Sequence, residues 1–433
     1  MALKVFKFGG ASVQDATNIK NVCSILKNHS NEQLVVVISA MGKMTNALEE
    51  VVNAYYYENG NAYEKLENVR KFHYDIISAL SFEEADLAYS EVNDHLVEIE
   101  WILEEPVQDS YDYVYDQIVS IGELMSTKII AHYLKSENVN AMWLDARDCI
   151  WTDDTYREGR VDWEMTKTRL KSKIDPILND SNVIVTQGFI ASDSANNNVT
   201  LGREGSDYTA AIFSYCLDAE SMHIWKDVPG ILTADPQCFD YTTKIERLSY
   251  QEAIEMTYFG AKVIHPKTIK PLQNKNIPLY VRPFNDESSL GTCISDVDEL
   301  SYPPIIVLEQ NQAIINISTK DFSFIAEHHL SEIFDTLNRH RVKVNMMRNA
   351  AISFSLCVIH DSHKVNAFLE ALKQDYVTDV ITGLELITIR HFNQSTIVEM
   401  KRDKIILFEE LLHNTIRLVV KINTTLKRKS LDI

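Results

Sequence analysis

A glycine pair beside a lysine is the first feature of the chain that could do chemistry. The residues KFGGAS begin at Lys7 and follow an apolar run. Gly9 and Gly10 let the backbone approach a ligand closely, and Lys7 adds a positive charge. Ser12 and Asp15 have the spacing of a capping box, which predicts a helix that starts at Ser12. A helix N-terminus beside a lysine suits phosphate, although a plain strand–turn–helix corner explains the same residues.

Three common nucleotide-binding motifs are absent from the sequence. Without GxxxxGK[ST], a P-loop is excluded. Without GxGxxG and HRD, the pattern disfavours a Rossmann dinucleotide site and a protein kinase. Any phosphate chemistry at Lys7 therefore belongs to a different fold.

An arginine between two glycines is the most informative motif. Arg203 lies in TLGREGSDYTA, after an apolar run and a polar loop and before an apolar helical pattern. Its guanidinium could clamp a carboxylate or a phosphate through two hydrogen bonds. Ser206 and Asp207 fall in the predicted first helical turn, where a carboxylate is favoured and could orient nearby lysines. An ordinary capped helix explains Ser206 and Asp207 but leaves the glycine-flanked Arg203 unexplained.

Two further segments could bind a small polar substrate. Ser39 lies at the end of the apolar run at 34–40 and Thr45 follows it, and ligands of open parallel sheets bind beyond the carboxyl ends of strands. A helix capped at Thr45 explains this segment equally well. Glu123, in GELMS, falls beside the apolar face of a helical pattern, where a buried carboxylate needs a cation. A residue at the rim of that face is the simpler interpretation of Glu123.

Two loop segments complete the set. One runs from Lys226 through KDVPGILTADP at a strand end, and the other, FGAKVIHP, starts at Phe259 and places a lysine in a turn of small residues. Each is weak by itself. His265, before Pro266, is predicted to make a structural hydrogen bond rather than bind a metal.

Buried strands and helices must position these residues. Apolar runs alternate with helical patterns up to about residue 298, which predicts βαβ units and an α/β fold with a mainly parallel sheet between two helical layers. The runs are at 3–8, 34–40, 183–190, 222–225 and 277–284. Residues 48–134 read as mostly helical, rich in tyrosine and acidic, and are predicted to pack on that sheet.

The pattern changes at Ser301, where Pro303 and Pro304 indicate a domain boundary. Beyond this boundary the pattern predicts elements in the order βαββαβ, then a helix at 403–414 and a strand at 416–422. We therefore divide the chain into a catalytic domain, an α+β domain and a partial copy of it. These span 1–300, 301–390 and 391–433.

Composition narrows the class of protein. The 433 residues carry 42 Lys+Arg and 62 Asp+Glu, a formal charge of −20, which disfavours nucleic acid and anionic membranes as partners. No apolar run reaches the ~20 residues of a membrane span. The six cysteines form no CxxC pair, and the first residues do not resemble a secretory leader. We expect a reduced, cytoplasmic protein.

Taken in this order, the six segments resemble aspartate kinases of the amino-acid kinase family. The resemblance covers about residues 4–292, and the C-terminal part resembles the family's βαββαβ ACT regulatory domains. It implies ATP-dependent phosphorylation of L-aspartate to 4-phospho-L-aspartate, the first step toward lysine, threonine and methionine. It also implies ATP as co-substrate, Mg²⁺ held mainly by phosphate oxygens and water with no protein metal ligands, and a homodimer formed through the ACT-like region.

The resemblance assigns a role to each motif residue. Lys7, Gly9 and Gly10 meet the transferred phosphate, and Asp207 holds the lysines in place. Arg203 binds the α-carboxylate of aspartate and Glu123 its ammonium group, with further substrate contacts from Ser39, Thr45 and Ser206. The residues that line the nucleotide are Lys7, Gly10, Ser12, Lys226, Asp227, Leu232, Gln237, Lys262 and Val263. The reacting β-carboxylate is already ionised at neutral pH, so no general base is required.

Several positions depart from the family pattern. Ala11 replaces a threonine, Glu204 a glycine, Leu232 an aromatic residue and Gln237 an arginine. Lys226 replaces a threonine and is predicted to return the positive charge lost at Gln237.

Two alternative functions stay open: kinases of glutamate, acetylglutamate or UMP, and a catalytically weakened amino-acid-binding protein of the same fold. Glu123 together with Arg203 argues against the first, and the retention of Lys7, Asp207 and Arg203 argues against the second.

The regulatory region departs further from that pattern. Asn345 stands where lysine-inhibited members carry an aspartate for the ammonium group of the effector. The second ACT-like copy is predicted to stop after one helix and one strand, which leaves a sheet edge exposed. We expect dimerisation to persist and lysine feedback to be weak or absent.

Overall fold

The computed structural model describes residues 2–261, 264–297, 301–321 and 323–422. They form two units. The first comprises the described residues within 1–231, 244–254 and 262–300, and the second comprises 232–243, 255–261 and the described residues from 301 onward.

The first unit is built on an eight-stranded sheet with the order β3-β4-β2-β1-β7-β9-β10-β8. All neighbouring pairs are parallel except β9 and β10. A separate hairpin pairs β5 with β6. The strands are β1 (Leu3–Phe8), β2 (Gln33–Ile38), β3 (Ala141–Leu144), β4 (Val183–Gln187), β5 (Ile190–Ser192), β6 (Asn198–Thr200), β7 (Ser221–Lys226), β8 (Arg247–Ser249), β9 (Leu279–Pro283) and β10 (Thr292–Ser295).

Successive residues of the central strands are buried, because helices cover both faces of this sheet. Phe6 and Phe8 belong to one large core with residues of α1 to α6. The intervening residues Val5 and Lys7 are buried on the other face, where α8 contacts β1, β2 and β7. The helices are α1 (Ala16–Asn28), α2 (Met44–Tyr56), α3 (Ala62–Leu80), α4 (Ala85–Glu104), α5 (Tyr111–Val119), α6 (Ile121–Ser136), α7 (Trp163–Asp180), α8 (Gly205–Cys216), α9 (Tyr250–Tyr258) and α10 (Pro266–Asn274). The predicted α/β fold is confirmed.

The second unit is built on a six-stranded antiparallel sheet with the order β12-β13-β11-β14-β16-β15. Its first six elements have the predicted order βαββαβ. The elements are β11 (Ile305–Thr319), α11 (Glu327–Arg339), β12 (Val344–Asn349), β13 (Ser353–Ile359), α12 (Ser362–Leu372), β14 (Tyr376–Arg390), α13 (Gln394–Lys401), β15 (Lys404–Leu411) and β16 (Thr415–Ile422).

The helix predicted at 403–414 is wrong. The structure forms α13 earlier and places β15 in that segment, so the second copy contains two strands. The residues KIILFEELL have helical spacing, but this segment pairs along β16, and strand pairing outweighs local helix propensity. Helix α13 ends at Lys401, Arg402 is extended (φ −60°, ψ 133°), and Asp403 adopts the left-handed region (φ 58°) just before β15 begins.

None of the helices in the described part of the chain combines the length and the apolarity that a bilayer span requires.

Candidate active site

The centre of the candidate site is a buried ion pair between β1 and α8. Lys7 Nζ lies 2.7 Å from Asp207 Oδ1. Lys7 is 8% exposed and Asp207 4%. Strand alternation places Lys7 on the face opposite Phe6 and Phe8, and Asp207 is the third residue of the helix that covers that face. The pair is therefore positioned by the sheet and the helix rather than by mobile loops.

A second lysine shares the same carboxylate. Lys226, the last residue of β7, has its Nζ 4.0 Å from Asp207 Oδ2. Burial would raise the pKa of Asp207, but the ammonium groups of Lys7 and Lys226 outweigh it and hold this pKa below its ordinary value. Asp207 is thus an anion that keeps two cations close together at the ends of adjacent strands.

The glycine turn after β1 packs against the loop after β2. The Gly42 amide donates to the Gly10 carbonyl at 3.0 Å. A Cβ at Gly10 would lie 2.7 Å from the Gly42 carbonyl oxygen and 2.8 Å from that of Ala40. A Cβ at Gly9 would lie 3.4 Å from Lys7 Nζ. Gly10 is therefore required by close contact between the two loops.

The predicted helix start at Ser12 is wrong. Residues Gly10–Val13 form a short 3-10 turn, and α1 begins at Ala16. Asp15 caps α1 by accepting a hydrogen bond from the Asn18 amide at 2.9 Å. Ser12 is buried, and its hydroxyl donates to the Trp225 carbonyl at 3.5 Å. The carboxylate of Asp15 is the side chain that satisfies the helix terminus, so Ser12 is available for a different contact.

Glu123 is buried at the start of α6, not at the rim of that helix. It is 2% exposed, and burial raises its pKa to about 8, against the opposing effects of a hydrogen bond from the Ala40 amide and of the Lys7 charge. Its Oε2 has no hydrogen-bond partner among the described residues. A buried carboxylate oxygen without a partner is costly, so this oxygen is a ready acceptor for a cationic ligand.

The segment after β2 carries the other small polar groups. The Ser39 amide donates to the Phe8 carbonyl at 3.1 Å, and the Ser39 carbonyl accepts from the Ser126 hydroxyl at 2.8 Å. Ala40, which bonds Glu123, is the next residue, so Ser39 and Glu123 lie in one neighbourhood. Thr45 is half-buried in the first turn of α2.

Arg203 is exposed in the turn that leads into α8. Within the described ranges it forms no ion pair, and it lies beside Gly202 (φ +76°). Glu204 occupies the left-handed region (φ 54°), and its Oε2 is buried without a hydrogen-bond partner in the described part of the chain. That backbone conformation suits the glycine of the resembled pattern, so Glu204 stands at a strained position and nothing in the structure explains its presence. Ser206 is buried next to Gly188, where a Cβ would lie 2.4 Å from the Ser206 Cβ.

The predicted nucleotide residues fall into three groups. Lys226 ends β7 and the exposed Asp227 follows it, both in the first unit. Leu232 and Gln237 belong to the second unit. Gln237 is exposed, and its backbone amide donates to the Asp235 carboxylate at 2.9 Å. The predicted contacts of Lys262 and Val263 lie outside the described residues.

One buried acid was missed by the sequence analysis. Asp116 on α5 is fully buried and accepts hydrogen bonds from the strand that precedes the Arg203 turn. The only sequence signal was an acidic residue inside the apolar pattern YVYDQIV, seven residues before Glu123.

The sequence of the first unit matches a known family of kinases. Residues 2–283 match the family model described as the amino acid kinase family. This match covers well over half of the chain, so the chain belongs to the amino acid kinase family, and the protein is a phosphotransferase.

Comparison with individual proteins narrows this class. Lysine-sensitive aspartokinase 3 of Escherichia coli is 33% identical over 355 residues, 81% of this chain and 77% of that protein. The bifunctional aspartokinase/homoserine dehydrogenase of Buchnera aphidicola is 30% identical, over 84% of this chain and 46% of that protein. The crystal structure of E. coli aspartokinase III with aspartate and ADP has a TM-score of 0.82 and 27% identity, covering 98% of this chain and 97% of that one. Within its family, the chain groups with the aspartokinases.

Proposed function

We propose that the protein transfers the γ-phosphoryl group of ATP to the β-carboxylate of L-aspartate. A β-carboxylate oxygen forms a bond to the γ-phosphorus, the bond from that phosphorus to the β,γ-bridging oxygen breaks, and ADP leaves with the electron pair. The products are 4-phospho-L-aspartate and ADP. The observation that carries this proposal is the buried, unpartnered Glu123 oxygen close to the loops that surround Lys7.

Opposite charges in the site match the two ends of an α-amino acid. Glu123 accepts the ammonium group, and Arg203 binds the α-carboxylate through its exposed guanidinium. Ser39, Thr45 and Ser206 supply hydroxyl groups for the remaining substrate oxygens. The β-carboxylate is ionised at neutral pH and attacks without a general base.

Lys7 stabilises the negative charge on the phosphoryl group in the transition state of its transfer. Because Asp207 fixes its ammonium group in a buried position, Lys7 needs little reorganisation during the reaction. Gly9 and Gly10 leave room for phosphate oxygens beside it. The main contribution of the chain is thus positioning and charge neutralisation, as phosphoryl transfer requires.

ATP is the proposed co-substrate, and the related crystal structure is a complex with aspartate and ADP. Lys226, Asp227, Leu232, Gln237, Lys262, Val263 and Ser12 are the residues assigned to the nucleotide. Mg²⁺ would be bound mainly through phosphate oxygens and water.

The C-terminal region is proposed to form a homodimer. Its first half exposes large apolar side chains on α11, on β12 and in the turn after β12: Phe334 is 40% exposed, Met347 59% and Ile352 45%. Apolar groups of this kind favour a protein partner, and a second copy of the chain satisfies them. Light scattering at micromolar concentration should give twice the monomer mass of 49.6 kDa.

Acceptor selectivity tests the proposed substrate. ADP release with Mg-ATP should require L-aspartate and should stay at background with glutamate, N-acetylglutamate or UMP. Release with one of these other acceptors and not with aspartate would refute the assignment. Binding of aspartate without ADP release would favour the weakened binding protein instead.

A further inference from the structure

Asp116 joins the two parts of the site that face opposite ends of the substrate. It lies on α5, which continues through Ser120 directly into α6 and Glu123. Its Oδ2 accepts from the Thr200 amide at 2.8 Å, and its Oδ1 accepts from the Thr200 hydroxyl at 2.7 Å. Thr200 is fully buried and ends β6, three residues before Arg203.

Neighbouring contacts complete this attachment. Asp116 Oδ2 also accepts from the Arg157 amide at 2.8 Å. Gln117, the next residue of α5, holds the other end of β6: its Nε2 donates to the Asn198 carbonyl at 2.9 Å, and its Oε1 accepts from the Asn198 amide at 3.1 Å. The helix therefore holds β6 at both ends through side chain-to-backbone hydrogen bonds.

The Arg157 loop extends the attachment to the glycine turn. Arg157 adopts the left-handed region (φ 69°), and its guanidinium stacks 4.3 Å above the Tyr115 ring. A Cβ at Gly202 would lie 3.0 Å from the Arg157 carbonyl oxygen. Asp116 thus orders the strand before the Arg203 turn and the loop that packs on that turn.

We propose that Asp116 is a positioning residue that sets the separation between Glu123 and Arg203, and so determines affinity for the amino-acid substrate. This inference rests on the proposed roles of Glu123 and Arg203. Asp116 touches neither substrate nor nucleotide in this scheme. It acts through Thr200 on the Arg203 turn, and through the continuous α5–α6 backbone on Glu123.

Protonation of Asp116 should loosen this attachment. Burial raises the pKa of Asp116 to about 6, against the lowering effect of its hydrogen bonds. Below that pH its three charge-assisted hydrogen bonds become neutral ones of roughly half the strength. The charged and titratable groups facing it are Arg157 and Tyr115, and Arg157 is also faced by Glu49 (4.0 Å) and Asp112 (3.3 Å). The strand β6 carries no titratable side chain.

Two variants test the proposal in the full-length protein. Asp116→Asn should raise the KM for aspartate at least tenfold at pH 7.5 and change the KM for ATP and kcat less than threefold. Thr200→Val keeps the volume and removes one hydrogen bond, so it should show a smaller effect in the same direction. Asp112→Asn is the matched control, because it lies one turn earlier on α5 and contacts Arg157 but not Thr200. Its KM should stay within twofold of wild type.

Two readouts separate positioning from general destabilisation. Below pH 6 the wild-type KM for aspartate should rise about threefold more than that of Asp116→Asn, because only the wild-type side chain titrates there, while the rise caused by Glu123 is common to both proteins. Without any substrate, amide hydrogen exchange at residues 198–205 should be at least tenfold faster in Asp116→Asn. Unchanged exchange there, or an equal rise in both KM values, would overturn the proposal.

The exchange measurement also distinguishes this inference from the proposed function. Wild-type protein without aspartate-dependent turnover would refute the proposed function, while faster exchange in the variant would still support the attachment through Asp116. If Asp116→Asn does not fold, Thr200→Val provides the same measurements, and a KM for aspartate equal to wild type in that variant would contradict the proposal.

Discussion

Asp207 is held between two lysines, with Lys226 Nζ 4.0 Å from the oxygen that Lys7 does not contact. One carboxylate therefore keeps together two cations from adjacent strands that would otherwise repel each other. In the proposed reaction, a phosphate group beside them meets positive charge that is already in place. Asp207 needs no contact with the substrate to serve this purpose.

Asp207→Asn should lower kcat by at least about 100-fold, because the lysines lose the charge that orients them. The free energy of unfolding should also fall by roughly 3 kcal/mol, since a buried ammonium group is left without its counter-charge. Steady-state kinetics at low temperature and a urea titration measure the two effects. Asp218→Asn, which removes a more exposed partner of Lys275 beyond the other end of α8, should leave kcat within twofold. A similar kcat for both variants would contradict this role.

Glu123 predicts a pH dependence of aspartate binding. Its pKa of about 8 means that it is mostly protonated at pH 7 in the free protein and must ionise to bind an ammonium group. The KM for aspartate should therefore fall as pH rises from about 6.5 to 8.5, and binding at pH 7 should release a proton. Calorimetry in buffers of different ionisation enthalpy measures that proton.

Glu123→Gln provides the control for this pH dependence. The amide cannot titrate, so the change in the KM for aspartate near pH 8 should disappear. The KM for aspartate should rise roughly 10- to 100-fold, the value of a charge-assisted hydrogen bond. A variant that keeps the wild-type slope would show that another group titrates.

Glu204→Gly should stabilise the protein and improve substrate binding. Removing the side chain relieves a left-handed backbone conformation and an unpartnered buried oxygen, so the free energy of unfolding should rise by about 1 kcal/mol. Loss of a negative charge beside Arg203 should lower the KM for aspartate about threefold. Glu204→Gln separates the effects, because it removes the charge and keeps the strained backbone. Equal thermal stability of the two variants would argue against backbone strain.

Lys226→Ala should raise the KM for ATP and leave the KM for aspartate within twofold. The side chain is half-buried at the end of β7 and carries the charge that we assign to the nucleotide phosphates. Lys4→Ala is the matched control: Lys4 pairs with Glu32, and its side chain is 23% exposed against 26% for Lys226. An unchanged KM for ATP in Lys226→Ala would remove Lys226 from the nucleotide site.

Lysine should inhibit the enzyme weakly or not at all. The Asn345 amide is already engaged, donating to Gln312 at 2.9 Å and to Glu309 at 3.4 Å, and its backbone carbonyl accepts from Arg417 at 2.7 Å. Because the Asn345 side chain is also uncharged, it offers no anionic partner for the ammonium group of an effector. A lysine titration of the kinase reaction measures this, and half-maximal inhibition at physiological lysine concentrations would contradict it.

The sequence predicted the elements whose patterns are local and unambiguous. Continuous apolar runs such as the one ending at Phe8 predicted buried parallel strands, and the position of Lys7 at a strand end followed from that. Asp207 was correctly placed in the first turn of a helix, because glycines and Ser206 mark its start. These features depend on short stretches of chain, so local physics suffices to predict them.

Features decided by distant contacts were mispredicted or missed. The burial of Glu123 depends on α6 being covered on nearly every side, which its mixed local pattern does not indicate. The strand at Lys404–Leu411 depends on pairing with β16, and the role of Asp116 depends on a partner 84 residues away. The spacing of Ser12 and Asp15 predicted a helix start at Ser12, whereas in the structure Ser12 bonds the distant Trp225 carbonyl and Asp15 caps α1.

Trapping of the product with hydroxylamine tests the central claim most directly. Hydroxylamine converts an acyl phosphate to a hydroxamate, which mass spectrometry identifies by the position of substitution. With Mg-ATP and L-aspartate, the wild-type protein should give aspartate β-hydroxamate in an amount equal to the ADP released, and Asp207→Asn should give almost none. ADP release without hydroxamate, or hydroxamate at the α-carboxylate, would contradict phosphorylation of the aspartate side chain.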